Sequence, residues 1–497
     1  MGIIARQSIK GTIVTYIGVA VGFFTTFFVL TRFLTAEEIG LARVLLDAAT
    51  LFVGLAQLGT TSSVIRFFPY FRSEGRTHGF FFWSLLVPLA GFAVFSLVFL
   101  AFRTPVEAWF GEKSPLFVDY WYFVLPIAFF MLYQTVFETC SNVCMRIVVP
   151  RAVREVGVRI GLLVCYLCYA FRLLSMDGFV LSLCAVYALA ALTDLVYFFA
   201  IGKVSLRPDL TFLRGHRQLV RSFLLYTAFL IASSLASALA PVLSSFFITA
   251  KMGLDYTGIF AIATYMAVMV SIPYRSLTAI AAPQLAAAIK DGDRPQTSAL
   301  MQQVTTNALL VGCAIFLLIW LNIDLVYHLL PNGATYSAAR SAVFLLGLSQ
   351  LLIATFSFSL SALNYSRFYA FTLLFSALLT VAAIVLNNML IPPLGMTGAA
   401  LANLLSYVLY FILILLTVHR AVHVSPFARA QARILYIFVA VLVLNCAALH
   451  FMSGAGVWLS ALVRTALLFG MFAWLAYRLK LSPEINALLH SVFILRH

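Results

Sequence analysis

Long apolar runs alternate with short polar breaks along the whole chain. The hydrocarbon core of a bilayer is about 30 Å thick, so a helix needs about 20 predominantly apolar residues to cross it. The pattern predicts fourteen spans, at 12–34, 41–65, 79–102, 119–140, 156–175, 179–200, 222–249, 256–279, 305–328, 341–363, 368–390, 397–418, 434–452 and 457–477. We therefore expect an all-α, polytopic integral membrane protein with about 14 transmembrane helices.

The composition favours the same class. Of 497 residues, 63% are apolar and 10% are charged, whereas soluble chains have roughly 45–50% apolar and 25% charged residues. Fourteen helices of about 22 residues leave about 13 residues per connection, too few for a soluble catalytic domain. The seven cysteines lie in or beside apolar runs, and no His or carboxylate cluster accompanies them. We expect no disulfide framework, no metal site and no cofactor.

The basic residues are distributed unevenly along the chain. There are 32 Lys and Arg residues against 17 Asp and Glu, for a net charge of +15. Most of them fall in segments that lie inside if the N-terminus is cytoplasmic, as the positive-inside rule requires. The charge is therefore explained by membrane topology and membrane lipids rather than by a nucleic-acid partner, and both termini are predicted to be cytoplasmic.

A weak internal repeat divides the chain. Gly40 in LTAEEIGLA matches Gly258 in LDYTGIFA, and Gly178 in MDGFV matches Gly398 in MTGAA, at separations that differ little. Six spans per copy give both copies the same orientation, with a pseudo-two-fold axis along the membrane normal. We predict two six-helix repeats plus a C-terminal helical hairpin. The N-terminal six-helix half is predicted at 1–205 and the C-terminal six-helix half at 222–420. A basic cytoplasmic linker at 206–221 joins them, and 421–497 holds helices 13 and 14 and the cytoplasmic tail.

Three stretches give the chain its resemblance to a known family. They are LTAEEIGLARVLLDAATLFVGLAQLGTTSSVIRFFPYF, LRPDLTFLRGHRQLVRSFLLYTAFLIASSLA and IPPLGMTGAALANLLSYVL. The chain resembles the polysaccharide-type flippases of the multidrug/oligosaccharidyl-lipid/polysaccharide superfamily. This resemblance implies a bacterial inner-membrane protein that moves a polyprenyl-pyrophosphate-linked glycan to the outer leaflet, through a cavity lined by helices 1, 2, 7 and 8. A polysaccharide polymerase would act in the same pathway.

Helix 2 carries two charges one turn apart, Arg43 and Asp47. Residues four apart share one face of a helix. Arg43 is a candidate to bind the diphosphate, with Asp47 as its exchangeable counter-ion. The alternative is an intrahelical pair that only neutralises two costly charges, or an arginine that reaches the interface.

Four basic residues lie at helix ends. Arg66 and Arg275 end helices 2 and 8 on the inside, where they are candidates to capture a diphosphate. Arg32 and Lys251 lie at the outer ends of helices 1 and 7 and are candidates for an outer mouth. The alternative for all four is interfacial anchoring.

Asp194 lies deep in helix 6, too far from the inner end to reach water. Antiparallel packing of helices 5 and 6 puts Arg159 at the same level. We predict an Arg159–Asp194 pair, with proton coupling at Asp194 as the alternative. Asp324 and Arg464 are also embedded, and no partner can be assigned to them from the sequence.

Helix 7 is long and rich in small polar residues, including Ser234 and Ser237, and is interrupted by Pro241. Such a helix can bend at the proline and donate hydrogen bonds to sugar hydroxyls. The alternative for the serines is close helix packing.

Other functions fit the sequence less well. The outer loops are too short for the catalytic domain of a glycosyltransferase or ligase, and no GxxxxGK[ST] motif for a nucleotide-driven pump occurs. A cation-coupled multidrug or metabolite antiporter of the related extrusion family is the main alternative, disfavoured by fourteen spans and basic candidate residues. Helix 1 carries no charge between Thr12 and Thr31, unlike some lipid-linked flippases, which argues against a lipid II specialist.

Overall fold

The computed structural model describes residues 3–71, 79–144, 146–201, 239–240, 242–452, 456–482 and 486. These residues are almost entirely helical, and no β-strand occurs among them. The prediction of an all-α, polytopic membrane architecture is confirmed.

The main helices of the N-terminal part are Ile3–Phe24, Ala36–Ala56, Thr60–Phe71, Phe80–Ala101, Val124–Val143, Val158–Ala170, Met176–Ala200, Leu243–Lys251 and Leu254–Val268. Those of the C-terminal part are Ile272–Lys290, Arg294–Leu321, Arg340–Tyr365, Ala370–Thr417, Arg429–Phe451, Val457–Arg464 and Gly470–Arg478. Wider π turns at Thr25–Leu30, Val153–Gly157 and Thr465–Phe469 join helical segments into longer rods.

Eleven helices in the described part of the chain are long and apolar enough to cross a membrane. The predicted spans 368–390 and 397–418 both fall on Ala370–Thr417, which bends where Gly395 adopts φ 58° after Pro392 and Pro393. The fifth predicted span, 156–175, begins in the charged π turn Val153–Gly157 and continues as the short α-helix Val158–Ala170. The seventh, at 222–249, lies mostly outside the described residues.

The chain forms two compact units, Met1–Gly258 and Ile259–His497. The linker predicted at 206–221 lies outside the described residues. The predicted domain limits at 205, 221 and 420 stay predictions.

The helix Ala36–Ala56 begins with a capping box that fixes its starting point. The Thr35 hydroxyl accepts a hydrogen bond from the Glu38 amide at 3.3 Å, and the Glu38 carboxylate accepts one from the Thr35 amide at 2.8 Å. This reciprocal pairing satisfies two amides that the helix itself cannot bond. Arg43 and Asp47 therefore lie about two and three turns after the defined start of this helix.

Within the first unit, the two glycines that mark the repeat meet each other. A Cβ at Gly40 would lie 2.0 Å from the Leu254 carbonyl oxygen, and one at Gly258 would lie 1.9 Å from the Ala36 carbonyl oxygen. No real side chain tolerates such distances, so the two helix starts can cross this closely only because both positions are glycine.

We predict that Gly258→Ala destabilises the protein by about 1–3 kcal/mol, because the added methyl group forces two backbones apart. The measurement is thermal unfolding of the purified protein in detergent. Gly470→Ala is the matched control: no atom lies within 4 Å of a Cβ there, and alanine favours a helix over glycine by about 1 kcal/mol. Equal melting temperatures for Gly258→Ala and the wild type would contradict the crossing.

Candidate functional site

The second predicted span holds an ion pair. Arg43 Nε lies 2.9 Å from Asp47 Oδ2, and the two side chains are 20% and 10% exposed. The predicted contact is therefore present. The helix places an always-charged guanidinium beside a carboxylate, with part of the arginine accessible. Whether this pair also contacts a substrate stays a prediction.

The predicted inner pair is described only in part. Arg275 is exposed on the helix Ile272–Lys290. Arg66 belongs to the helix Thr60–Phe71, but its side chain lies outside what the structure describes. Capture of a diphosphate by these two arginines stays a prediction.

The two candidates for an outer mouth both lie near aromatic rings. The Arg32 guanidinium lies 5.5 Å from the Phe33 ring centre, and the Lys251 ammonium lies 5.5 Å from the Phe247 ring centre. Desolvation lowers the pKa of Lys251 from its ordinary value. Cation–π contacts of this kind suit an interfacial position, and a role in a mouth stays a prediction.

The helix that ends at Lys251 is hydrogen-bonded to the segment that holds Ser114. The Ser114 hydroxyl donates to the Thr249 carbonyl oxygen at 2.7 Å, and the Thr249 and Thr257 hydroxyls lie 2.8 Å apart. The other candidates on this span, Ser234, Ser237 and Pro241, lie outside the described residues.

The predicted pair between Arg159 and Asp194 is wrong. Arg159 Nη1 donates to the Gly18 carbonyl oxygen at 2.6 Å, and Nη2 donates to Glu155 at 3.2 Å. Equal depth in a helical hairpin does not fix the rotation of each helix, and Arg159 turns toward the first span. Gly18 permits this contact, because a Cβ there would lie 2.2 Å from the Glu155 carbonyl oxygen.

The acid whose charge acts on Asp194 is one that the sequence analysis missed. Glu138, on the helix Val124–Val143, is buried and bound by Arg154 at 2.8 Å. Arg154 also contacts Glu155 at 3.3 Å. The signal in the sequence was available, since Glu138 is a carboxylate inside the fourth apolar run.

In the second unit, Asp324 and Arg464 are partners. Arg464 is 2% exposed. Its Nη2 lies 3.7 Å from Asp324, and its Nη1 donates to the Asn445 side-chain oxygen at 3.4 Å. Arg340, which the sequence analysis did not assign, binds the same carboxylate at 2.8 Å. This cluster connects the helices Arg429–Phe451 and Val457–Arg464 to the helix Ile323–Leu329 and to the first residue of the helix Arg340–Tyr365.

We predict that Asp324→Asn lowers stability by about 1–3 kcal/mol, because it leaves the buried Arg464 guanidinium without a carboxylate. Thermal unfolding of the purified variant measures this. Glu107→Gln is the control, since the Arg103–Glu107 pair is 58% and 42% exposed and such pairs contribute under about 1 kcal/mol. A loss no greater than that of the control would show that the cluster is not stabilising.

A family model matches more than half of the chain. Residues 8–288 match the family described as polysaccharide biosynthesis protein. A search of curated proteins finds no match.

Several solved membrane transporters share the fold. The lipid II flippase MurJ in an inward-closed conformation superposes with a TM-score of 0.65 at 11% identity, over 95% of this chain and 99% of that one. An inward-facing multidrug resistance MATE family transporter gives 0.62 at 15% identity, over 81% and 93%. A MOP superfamily transporter from Pyrococcus furiosus gives 0.58 at 13% identity, over 83% and 95%. Because the sequence identities are 11–15%, the similarity to these structures shows that the chain shares their fold and no more.

Proposed function

Because the chain belongs to the polysaccharide biosynthesis protein family, we propose that it flips a polyprenyl-pyrophosphate-linked oligosaccharide from the cytoplasmic to the outer leaflet of the bacterial inner membrane. The product supplies lipopolysaccharide, capsule or exopolysaccharide. The observation that carries this proposal is the family match over residues 8–288. The family and the structural neighbours are transporters and flippases rather than enzymes.

The chemistry of the cargo supports a role for embedded arginine. A diphosphate and a glycan cannot cross hydrocarbon unless fixed positive charge and hydrogen-bond donors replace water. Arginine stays charged at every physiological pH and can hold phosphate oxygens in a bidentate manner. Arg43, paired with Asp47 at 2.9 Å, meets this requirement if the cargo phosphate replaces the carboxylate as its partner.

Alternating access is the transport mode that we propose, with a bend at Pro241 and hydrogen bonds from Ser234 and Ser237 to the glycan. Arg66 and Arg275 would bind the diphosphate on the cytoplasmic side. Arg32 and Lys251 would lie where the cargo leaves the cavity on the outer side. Membrane lipids surround the chain, and a polymerase in the same pathway would consume the product.

A cation-coupled multidrug antiporter is the second candidate, favoured by the similarity to MATE family structures. The two functions differ in their cargo. Deleting the gene should stop surface polysaccharide if the chain is a flippase, and should lower resistance to cationic drugs if it is an antiporter.

We predict that Arg43→Gln lowers glycan translocation more than tenfold at normal protein level, since a hydrogen bond to a charged group contributes about 1.5–3 kcal/mol. The measurement is surface polysaccharide in cells that depend on this protein. Arg43→Lys should recover part of the activity, because it keeps the charge and loses the bidentate geometry.

Arg103→Gln is the control for this experiment, because Arg103 is exposed in an outer segment and pairs with Glu107. It should translocate as the wild type does. Normal translocation by Arg43→Gln would contradict the assignment and leave the Arg43–Asp47 pair with a structural role.

We also predict the topology. Reporter fusions after Lys113 and after Lys290 should report the outside and the cytoplasm respectively, because the basic residues favour cytoplasmic termini. The same compartment for both fusions would contradict this arrangement.

A further inference from the structure

Asp194 is the most deeply buried carboxylate in the described part of the chain. It is 0% exposed and lies on the buried stripe of the helix Met176–Ala200, with Tyr187, Ala190 and Phe198. It lies six positions before the last residue of the helix, about 9 Å along the axis. The side chain therefore does not reach the surface of the protein in this conformation.

Neither carboxylate oxygen of Asp194 has a hydrogen-bond partner among the residues that the structure describes. The other embedded acids differ in this respect: Asp47 is paired with Arg43, Glu138 with Arg154, and Asp324 with Arg340. An ionised carboxylate without a partner is very costly in such surroundings, and a protonated one is far less so.

The charged groups of the neighbouring helices do not neutralise Asp194. Those that act on it are Glu138 and Arg154. Arg154 already binds both Glu138 and Glu155. Arg159 binds Glu155 and Gly18, and Arg151 acts on Glu138. Arg154 is thus shared with other acids, while Glu138 opposes a second negative charge at Asp194.

We propose that Asp194 is a proton-binding site and that its proton is taken up and released during the transport cycle. The coupling rests on the proposed function; the bound proton does not. In the step, a proton from water forms an O–H bond with the carboxylate, and the same proton later returns to water. No other reactant is needed.

The ion pair whose charges act on Asp194 is more exposed than Asp194 itself. Exposure falls from 45% for the Arg154 side chain to 9% for that of Glu138 and to 0% for Asp194. A shift of the Arg154–Glu138 pair would therefore change both the charge and the hydration around Asp194. We infer that conformations differ in whether this carboxylate is neutral or ionised.

The geometry favours a proton over a metal ion. Hard cations are held by about six or more oxygen ligands. The described residues contain no group of three or more His, Cys, Asp or Glu side chains that could hold a metal ion.

The bound proton is tested by infrared difference spectroscopy on the purified full-length protein, comparing the wild type with Asp194→Asn at neutral pH. The wild type should show the carbonyl band of a protonated carboxylic acid that Asp194→Asn lacks. Asp177→Asn is the control, because Asp177 is exposed on the same helix and accepts a hydrogen bond from Tyr120; the band should persist there. The proton site would be overturned if the wild type lacked this band, because Asp194 would then be ionised. It would also be overturned if sodium chloride removed the band while potassium chloride did not, because the site would then bind sodium.

The coupling is tested in cells that depend on the protein for surface polysaccharide. Asparagine imitates the neutral form, so Asp194→Asn should reach normal protein level and lose translocation, and Asp194→Glu should keep pH-dependent translocation. Wild-type translocation by Asp194→Asn would overturn the coupling. If the protein proves not to carry a glycan, the infrared result still decides whether Asp194 holds a proton. A failure of the proposed function is therefore distinguishable from a failure of the proton site.

Discussion

Charge in a low-dielectric environment is the constraint on which this structure depends. An embedded charge is expected to be paired, neutralised or hydrated, because leaving it bare costs several kcal/mol, a large fraction of the stability of a typical fold. Arg43 with Asp47 and Arg464 with Asp324 and Arg340 meet the constraint by pairing. Asp194 has no such partner in the described residues, which is why we assign it a proton.

The same constraint connects fold and transport. A transporter for a dianion must keep cationic groups inside the membrane while the cargo is absent, and a weak internal counter-ion makes this possible. The Arg43–Asp47 pair joins residues one helical turn apart and is partly exposed, and we propose that an incoming phosphate competes with the carboxylate for Arg43. Arg464 is enclosed and bound by several groups, which suits an anchor for the terminal helices.

Features set by short-range geometry could be predicted from the sequence. The spans follow from hydropathy, and the Arg43–Asp47 contact follows from helical periodicity. The predicted Arg159–Asp194 pair is wrong because the depth of two residues in neighbouring helices does not determine how each helix is rotated about its axis. Arg340, Asp324 and Arg464 meet through tertiary packing of segments distant in the chain, which no local pattern encodes. The repeat identified Gly40 and Gly258 as equivalent, but only the structure shows that their backbones touch.

The most direct test of the flippase assignment is translocation by the purified protein in liposomes. A polyprenyl diphosphate carrying a labelled oligosaccharide would be placed in both leaflets, and the fraction accessible to a glycosidase outside would be followed with time. We expect the protein to make the protected half accessible much faster than in protein-free vesicles, and Arg43→Gln to remove most of this acceleration. A rate equal to that of protein-free vesicles would contradict the account.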